Sequence, residues 1–338
     1  MASSGVSPND GASRRSLRRR TARALRRVFG TADLEDWQLS AESSLQDLRS
    51  RVAALGDADV RADQHTRKEL QRTREELQRA LSVFTFDAWL ELERPETDAL
   101  VTVVMATRNR AAQLGAAIGS VRAQRHERWE LIVVDDGSND GTPQILADVK
   151  DRRVRVLRVD HLGVCAARNV ALATATGDFV TYLDDDNIMH PGWLQAVAWA
   201  FRRCPHDDVL YGARIIDDET AVKSGAKGGL PFVHFAAFDR GRLAVNNLAD
   251  MNVIAHHREH PEARFEGQLS QLGDWELFAR LTESRDPLEL PAIACAYRTT
   301  APDRLSDRPE HVSGGEVEQV RGIIAERAAH RHSKQPID

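Results

Sequence analysis

Between Leu100 and Leu183 the chain switches repeatedly between two hydrophobic periods. The apolar runs "LVTVVMA", "WELIVVDD", "VRVLRV" and "DFVTYL" alternate with "AAQLGAAIGSVRAQ", "TPQILADV" and "GVCAARNVALATA", whose apolar residues recur at helical spacing, as Leu114, Ile118 and Val121 do. Strands that alternate with helices form βαβ units, and strands apolar on both faces belong in a parallel sheet covered on each side. Right-handed crossovers put all their carboxyl ends on one edge. The fold class expected is therefore α/β, with a mostly parallel central sheet, helices on both faces and an α-helical N-terminal extension. Ligands of such sheets bind at the carboxyl edge.

Three polar clusters follow the strands directly: "ATRNR", "DDGSNDGT" and "YLDDDN". They must converge on that edge. Three adjacent carboxylates repel one another, so a cation is expected there, and oxygen ligands suit magnesium or manganese. Such an ion would also neutralise a diphosphate. No G-x-G-x-x-G follows the first strand and no G-x-x-x-x-G-K-[ST] occurs, which argues against dinucleotide oxidoreductases and P-loop kinases. Without a glycine cradle, a diphosphate would be held by metal and arginine.

The flanks differ in kind. Of the chain's 338 residues, the first thirty are crowded with arginines at 14, 15, 18, 19, 20, 23, 26 and 27. Residues 1–30 read as a basic, disordered tail, and the cluster could also rest on anionic lipid. Nucleic acid is disfavoured because no aromatic residues interleave with the arginines. Residues 31–95 form a helical extension, with Leu45, Leu48, Val52 and Leu55, then Leu70, Leu77 and Leu81, on narrow stripes. A short coiled coil that makes a homodimer, a helical hairpin and a loose spacer all satisfy that pattern. The α/β domain spans 98–310, and 311–338 supplies a closing helix, "GGEVEQVRGIIAERAAHRH", and a tail. Cys165, Cys204 and Cys295 have neither disulfide-framework nor zinc spacing, which fits a reducing cytosol. No apolar run reaches the roughly 18 residues needed to cross a bilayer. The location expected is cytoplasmic, with membrane association through the basic tail.

The segments "VVMATRNR", "ELIVVDDGSNDGT", "GVCAARNVALATATGDFVTYLDDDNIMHPGWL" and "FEGQLSQLGDWELFARL" resemble, in order and spacing, the motifs of family 2 glycosyltransferases, which have the GT-A fold. "TYLDDDN" and "LGDWELFARL" are similar to the bacterial spore-coat type. The resemblance implies that Asp136 reads the nucleobase, that Thr107, Asn109 and Arg110 lie against the nucleotide, and that Arg168 meets the diphosphate. It places Asp184 and Asp185 near ribose and phosphate, Asp186 on the metal, and Asp274 as the catalytic base. The reaction implied is inverting transfer of a sugar from a nucleotide-diphosphate donor, with uridine favoured because the family most often uses it, to an unassigned acceptor. Gly273 stands where many members carry Glu. Thr299 and Thr300 stand where many carry a metal-binding histidine, so that ligand is unassigned.

Each role has a structural competitor. Asp136 could cap the turn of "DGSNDGT", and Asp274 could cap the helix "WELFARL". Arg110 and Arg168 could simply pair with neighbouring acids. Trp193, Trp275, His256 and His257 are the kinds of residue that fill cores. A non-catalytic sugar-nucleotide-binding or scaffold protein of the same fold is the alternative function. A sugar nucleotidyltransferase is disfavoured because "MATRNR" lacks the glycines of its signature loop.

Overall fold

The computed structural model describes residues 64–216, 232–298 and 314–332. The arginine cluster, the Leu45–Leu55 stripe, residues 217–231, and Thr299 and Thr300 lie outside them. By contact the chain divides into residues 1–71 with 220–231, of which only the start of one helix is described, and a unit of residues 72–219 with 232–338. The second unit carries everything that follows. Among the described residues no helix is long and apolar enough to cross a membrane.

The elements run α1 (Gln64–Glu93), β1 (Val101–Thr107), α2 (Ala111–Arg122), β2 (Trp129–Asp136), α3 (Thr142–Ala147), β3 (Val154–Val159), α4 (Val164–Thr174), β4 (Phe179–Tyr182), β5 (Ile188–Met189) and α5 (Trp193–Arg203). They continue with β6 (Val209–Ile216), β7 (Phe232–His234), α6 (Arg240–Leu243), a 3-10 turn (Met251–Val253), β8 (Ile254–His257), α7 (Gly273–Leu281), β9 (Leu288–Tyr297) and α8 (Gly314–His332). The sheet order is β3-β2-β1-β4-β8-β6-β9-β5, with β7 on β6.

The first four strands pair in parallel, with Val101 beside both Trp129 and Phe179. Every residue of β2 is buried, as a central strand covered on both faces requires. Beyond β4 the sheet changes character: β8 runs antiparallel to β4 and to β6, while β6 and β9 are parallel. The antiparallel return matters for the site, because β8 starts at the same rim where β4 ends.

Helix formation follows the spacing. In α2, Leu114, Ala117, Ile118 and Val121 are buried at three- and four-residue intervals. Proline opens α3, where its missing N–H costs nothing. Helix α1 is more than a spacer. From Arg72 onward it belongs to the compact unit, and its buried positions are Val83 and Leu90, with Phe86 and Trp89 packed on the core. Phe86, Trp89 and Trp199 form an aromatic cluster with centroids 4.9–5.5 Å apart. Leu81, on the stripe seen in the sequence, is instead 45% exposed. The burying face is offset from it because aromatic residues, not leucines, supply most of the contact. Charged anchors fix the docking: Arg79 pairs with Glu289 at 2.6 Å, and Arg125 with Glu91.

Candidate active site

The rim is assembled from strand ends. In the register of β1 on β2, Thr107 lies beside Asp135, and the Leu183 amide extends the β4 ladder onto the Val104 carbonyl at 3.0 Å. The chain after β1 turns sharply at Asn109, a left-handed residue at φ 55°, a conformation that asparagine tolerates better than most. Asn109 ties its loop to the next one, since its side-chain oxygen accepts from the Asn139 amide at 2.9 Å and its own amide donates to Ser138 Oγ at 3.0 Å.

The two aspartates that end β2 divide their labour. Asp135 accepts from the Ser138 amide at 2.9 Å and from Arg158 at 2.7 Å. It is therefore Asp135, and not Asp136, that caps the turn of "DGSNDGT". Asp136 faces the other way and accepts from the amides of Leu162 and Gly163 at 2.5 and 3.0 Å, at the entrance to α4. Gly137, directly after them, has φ 73°, and a Cβ there would lie 3.1 Å from the His161 nitrogen. Only glycine permits that close turn.

The triple aspartate sits between two arginines. Arg168 donates to Asp184 at 2.7 Å, and Arg110 lies 3.6 Å from Asp185. Both arginines are buried, so the pairing with nearby acids is real. Much of the charge compensation expected from a cation is thus supplied by the chain itself. Asp184 is held further by Asn252, whose Oδ1 accepts from the Asp184 amide at 2.7 Å while its Nδ2 donates to the carboxylate at 2.9 Å. Asn252 is 1% exposed and stands in the turn before β8. Its side chain reaches Asp184 because antiparallel β8 begins where β4 ends. Asp185 is buried, and desolvation pushes its carboxyl up to about 7 against the opposing pull of the Thr107 hydroxyl and Arg110. Asp186 is half-buried beside it.

Among the described residues no group of three His, Cys, Asp or Glu side chains forms an all-protein metal cage. The donors present are hard carboxylate oxygens in a row. Magnesium is commonly bound by one or two carboxylates with phosphates and waters completing the shell, so this donor set fits a metal shared with a diphosphate.

On the far flank, Asp274 lies in the first turn of α7. It does not cap that helix: Leu272 occupies the cap position and no side chain bonds there. The Asp274 carboxylate instead accepts from the Trp275 amide at 2.8 Å and from Asn247 Nδ2 at 2.9 Å. Burial pushes its carboxyl up, opposed by the Trp275 amide, the Arg168 charge and the Asn247 bond, and reinforced by Asp184. Asp274 is therefore near enough to Arg168 and Asp184 to feel both charges. A half-buried carboxylate with a raised pKa is suited to accept a proton.

The core readings of the aromatic residues hold. Trp193 and Trp275 are almost fully buried, with their indoles donating to Thr181 Oγ1 at 3.0 Å and to the Leu243 carbonyl at 2.6 Å. His256 is fully buried and lies 2.7 Å from the Tyr182 hydroxyl and from the His257 carbonyl. His257 packs edge-on against Phe179 and Phe201. Residues that sequence reasoning missed are Asn247, Asn252 and, behind the site, Glu316. Each works through a contact with a residue at least 27 positions away, for which no local pattern exists.

An α/β sheet with acids gathered at the carboxyl ends of its strands has the layout of nucleotide-binding α/β proteins. Residues 102–255 match glycosyl transferase family 2. It is 38% identical over 92 residues, 27% of this chain, to the Escherichia coli UDP-Glc:alpha-D-GlcNAc-diphosphoundecaprenol beta-1,3-glucosyltransferase WfgD. It is 26% identical over 185 residues, 54% of this chain, to the putative colanic acid biosynthesis glycosyl transferase WcaA of E. coli K12. The chain spans 36% of WfgD's length and 66% of WcaA's. Among solved structures it resembles residues 1–349 of S. aureus TarS in complex with UDP-GlcNAc, with TM-score 0.55 and 20% identity, covering 67% of this chain and 66% of that one. That likeness establishes the GT-A fold.

Proposed function

We propose that this chain is a metal-dependent, inverting glycosyltransferase that moves a sugar from a nucleoside-diphosphate donor, with UDP-sugar favoured, to a hydroxyl or similar nucleophile. The observation that carries this reading is Asp274, its carboxyl pushed up by burial, within the electrostatic reach of the Arg168–Asp184 pair at the rim. Uridine is favoured because WfgD is named for UDP-Glc and TarS was solved with UDP-GlcNAc.

In this reading Asp136 holds the base, and Thr107 and Asn109 line the nucleotide. Arg110 and Arg168 exchange carboxylate partners for diphosphate oxygens, a swap that keeps each guanidinium paired in a low-dielectric site. Asp186, with Asp184 and Asp185 beside it, would hold magnesium or manganese, and a bound ion supplies Lewis-acid neutralisation of the charge developing on the diphosphate. Asp274 takes the acceptor's proton as its oxygen attacks the anomeric carbon. Attack comes from the face opposite the diphosphate, which leaves as the glycosidic bond forms, so the configuration inverts without a sugar–enzyme intermediate.

Asp274→Asn should lower turnover about 10²–10⁴-fold while leaving the Kd for UDP nearly unchanged, measured by UDP release and calorimetry. Chelation of divalent ions should abolish transfer and weaken UDP binding. Tight sugar-nucleotide binding with no turnover under any metal would leave a binding protein of the same fold.

A further inference from the structure

The C-terminal helix α8 reaches both segments that hold Asp274 in place. At its start, the Glu316 carboxylate accepts from three successive backbone amides, those of Ser270 at 2.5 Å, Gln271 at 3.1 Å and Leu272 at 3.2 Å, and from the Ser270 hydroxyl at 3.1 Å. Consecutive amides that converge in this way form a concave anion site. Here the chain's own carboxylate fills it. Leu272 is the cap position of α7, so Glu316 grips the backbone two residues before Asp274.

One turn further along, Arg321 donates from Nε and Nη2 to the Val245 carbonyl at 3.2 and 2.9 Å. Val245 lies two residues before Asn247, whose amide bonds the Asp274 carboxylate. Between these contacts Val320 is fully buried and Val317 packs on the core. Farther on, Arg327 pairs with Glu262 at 2.8 Å and Glu283 at 2.9 Å. Helix α8 is thereby fastened along most of its length to the elements around α7.

We propose that α8 is a positioning device for the base, in which Glu316 sets the backbone that delivers Asp274 and Arg321 sets the segment that delivers Asn247. Neither residue touches the reacting groups. A base displaced by a fraction of an ångström loses much of its effect, which is the physical reason to anchor both of its supports on one rigid helix. This inference rests on Asp274 being the base.

The test uses the full chain with Glu316→Ala, the isosteric Glu316→Gln, and Arg321→Ala. Hydrogen–deuterium exchange should rise about tenfold or more in residues 268–276 for the Glu316 variants and in 243–248 for Arg321→Ala, while the β1 peptide stays protected. UDP release from UDP-GlcNAc with manganese should fall about tenfold for the Glu316 variants, with the Kd for UDP unchanged within about twofold. Adding Glu316→Ala to Asp274→Asn should slow the enzyme no further, because residues acting through one group are not additive. Unchanged exchange in 268–276, a UDP affinity that falls in step with turnover, or a double variant slower than Asp274→Asn would each overturn the proposal. Full turnover by Asp274→Asn would overturn the assignment of the base itself, and the exchange measurements, which need no donor, would still report whether α8 holds those segments.

Discussion

Gly273, which stands beside the candidate base, is explained by its neighbour. A Cβ built there would lie 2.4 Å from the Cys165 sulfur. Favourable contacts between heavy atoms are about 3.5–4.0 Å, so the overlap is roughly 1 Å. Cys165 is 1% exposed on the buried face of α4 and has little room to withdraw. Gly273→Ala should therefore cost about 1–3 kcal/mol from overpacking, reduced by the roughly 0.5–1 kcal/mol that alanine contributes over glycine in a helix. Removing the sulfur changes the sum. In Cys165→Ala the nearest atom of residue 165 is its Cβ, 4.0 Å from the new methyl, an ordinary contact. The double variant should then be as stable as Cys165→Ala or more so, with a coupling energy equal to the overpacking cost, about 1–3 kcal/mol, in a double-mutant cycle. Urea unfolding of the four proteins measures it, and UDP release tests whether Gly273→Ala, by shifting the residue before Asp274, also slows turnover until Cys165→Ala relieves it. Destabilisation by Gly273→Ala that is the same with and without the sulfur would refute the steric argument.

Three further outcomes follow from the packing. Asn252→Ala leaves the Asp184 amide and carboxylate without their partner, and should cost about 1–3 kcal/mol in unfolding free energy while weakening UDP binding by calorimetry. Leu90→Ala should destabilise the whole domain by about 2–5 kcal/mol in a single unfolding transition, since that residue is 1% exposed in the core cluster; an early separate transition of α1 would contradict this. His256 is held neutral, its pKa lowered to about 4 chiefly by burial. The unfolded chain, with a His pKa of about 6.5, then binds more protons than the folded one between the two values, so stability must fall as pH drops through that window, by on the order of 3 kcal/mol in full. Denaturation midpoints at pH 7 and pH 4.5 should differ less in His256→Gln than in the wild-type chain.

Much of the architecture was readable from local pattern. The strands β1 to β4, the helices α2, α3 and α4 between them and the terminal helix α8 all announce themselves by pattern, because side-chain direction repeats every two residues in a strand and every 3.6 in a helix. The convergence of Thr107, Arg110, Asp136 and the triple aspartate at one rim follows from that alternation and from crossover handedness. Sequence reasoning also set Asp274 apart, through likeness to a family. It left open whether Asp136 and Asp274 are caps, because which of two adjacent aspartates faces the turn depends on a φ of 73° at Gly137, and which residue starts a helix depends on where its backbone bends. It took the leucine stripe as the packing face of α1, whereas docking uses Val83, Phe86, Trp89 and Leu90.

By itself, then, the order of residues determined the parallel half of the sheet, the edge where acids collect and the family that the domain matches. Tertiary structure alone decided what balances those acids: Arg168 on Asp184, Arg110 on Asp185, and Asn252 arriving from the turn before an antiparallel strand, 68 residues downstream. It likewise decided that a carboxylate from the last helix steadies the approach to Asp274. The division has a physical cause. Periodicity is a property of neighbours along the chain, whereas charge compensation acts through distances of a few ångströms in space, and only the closed sheet brings those partners within reach.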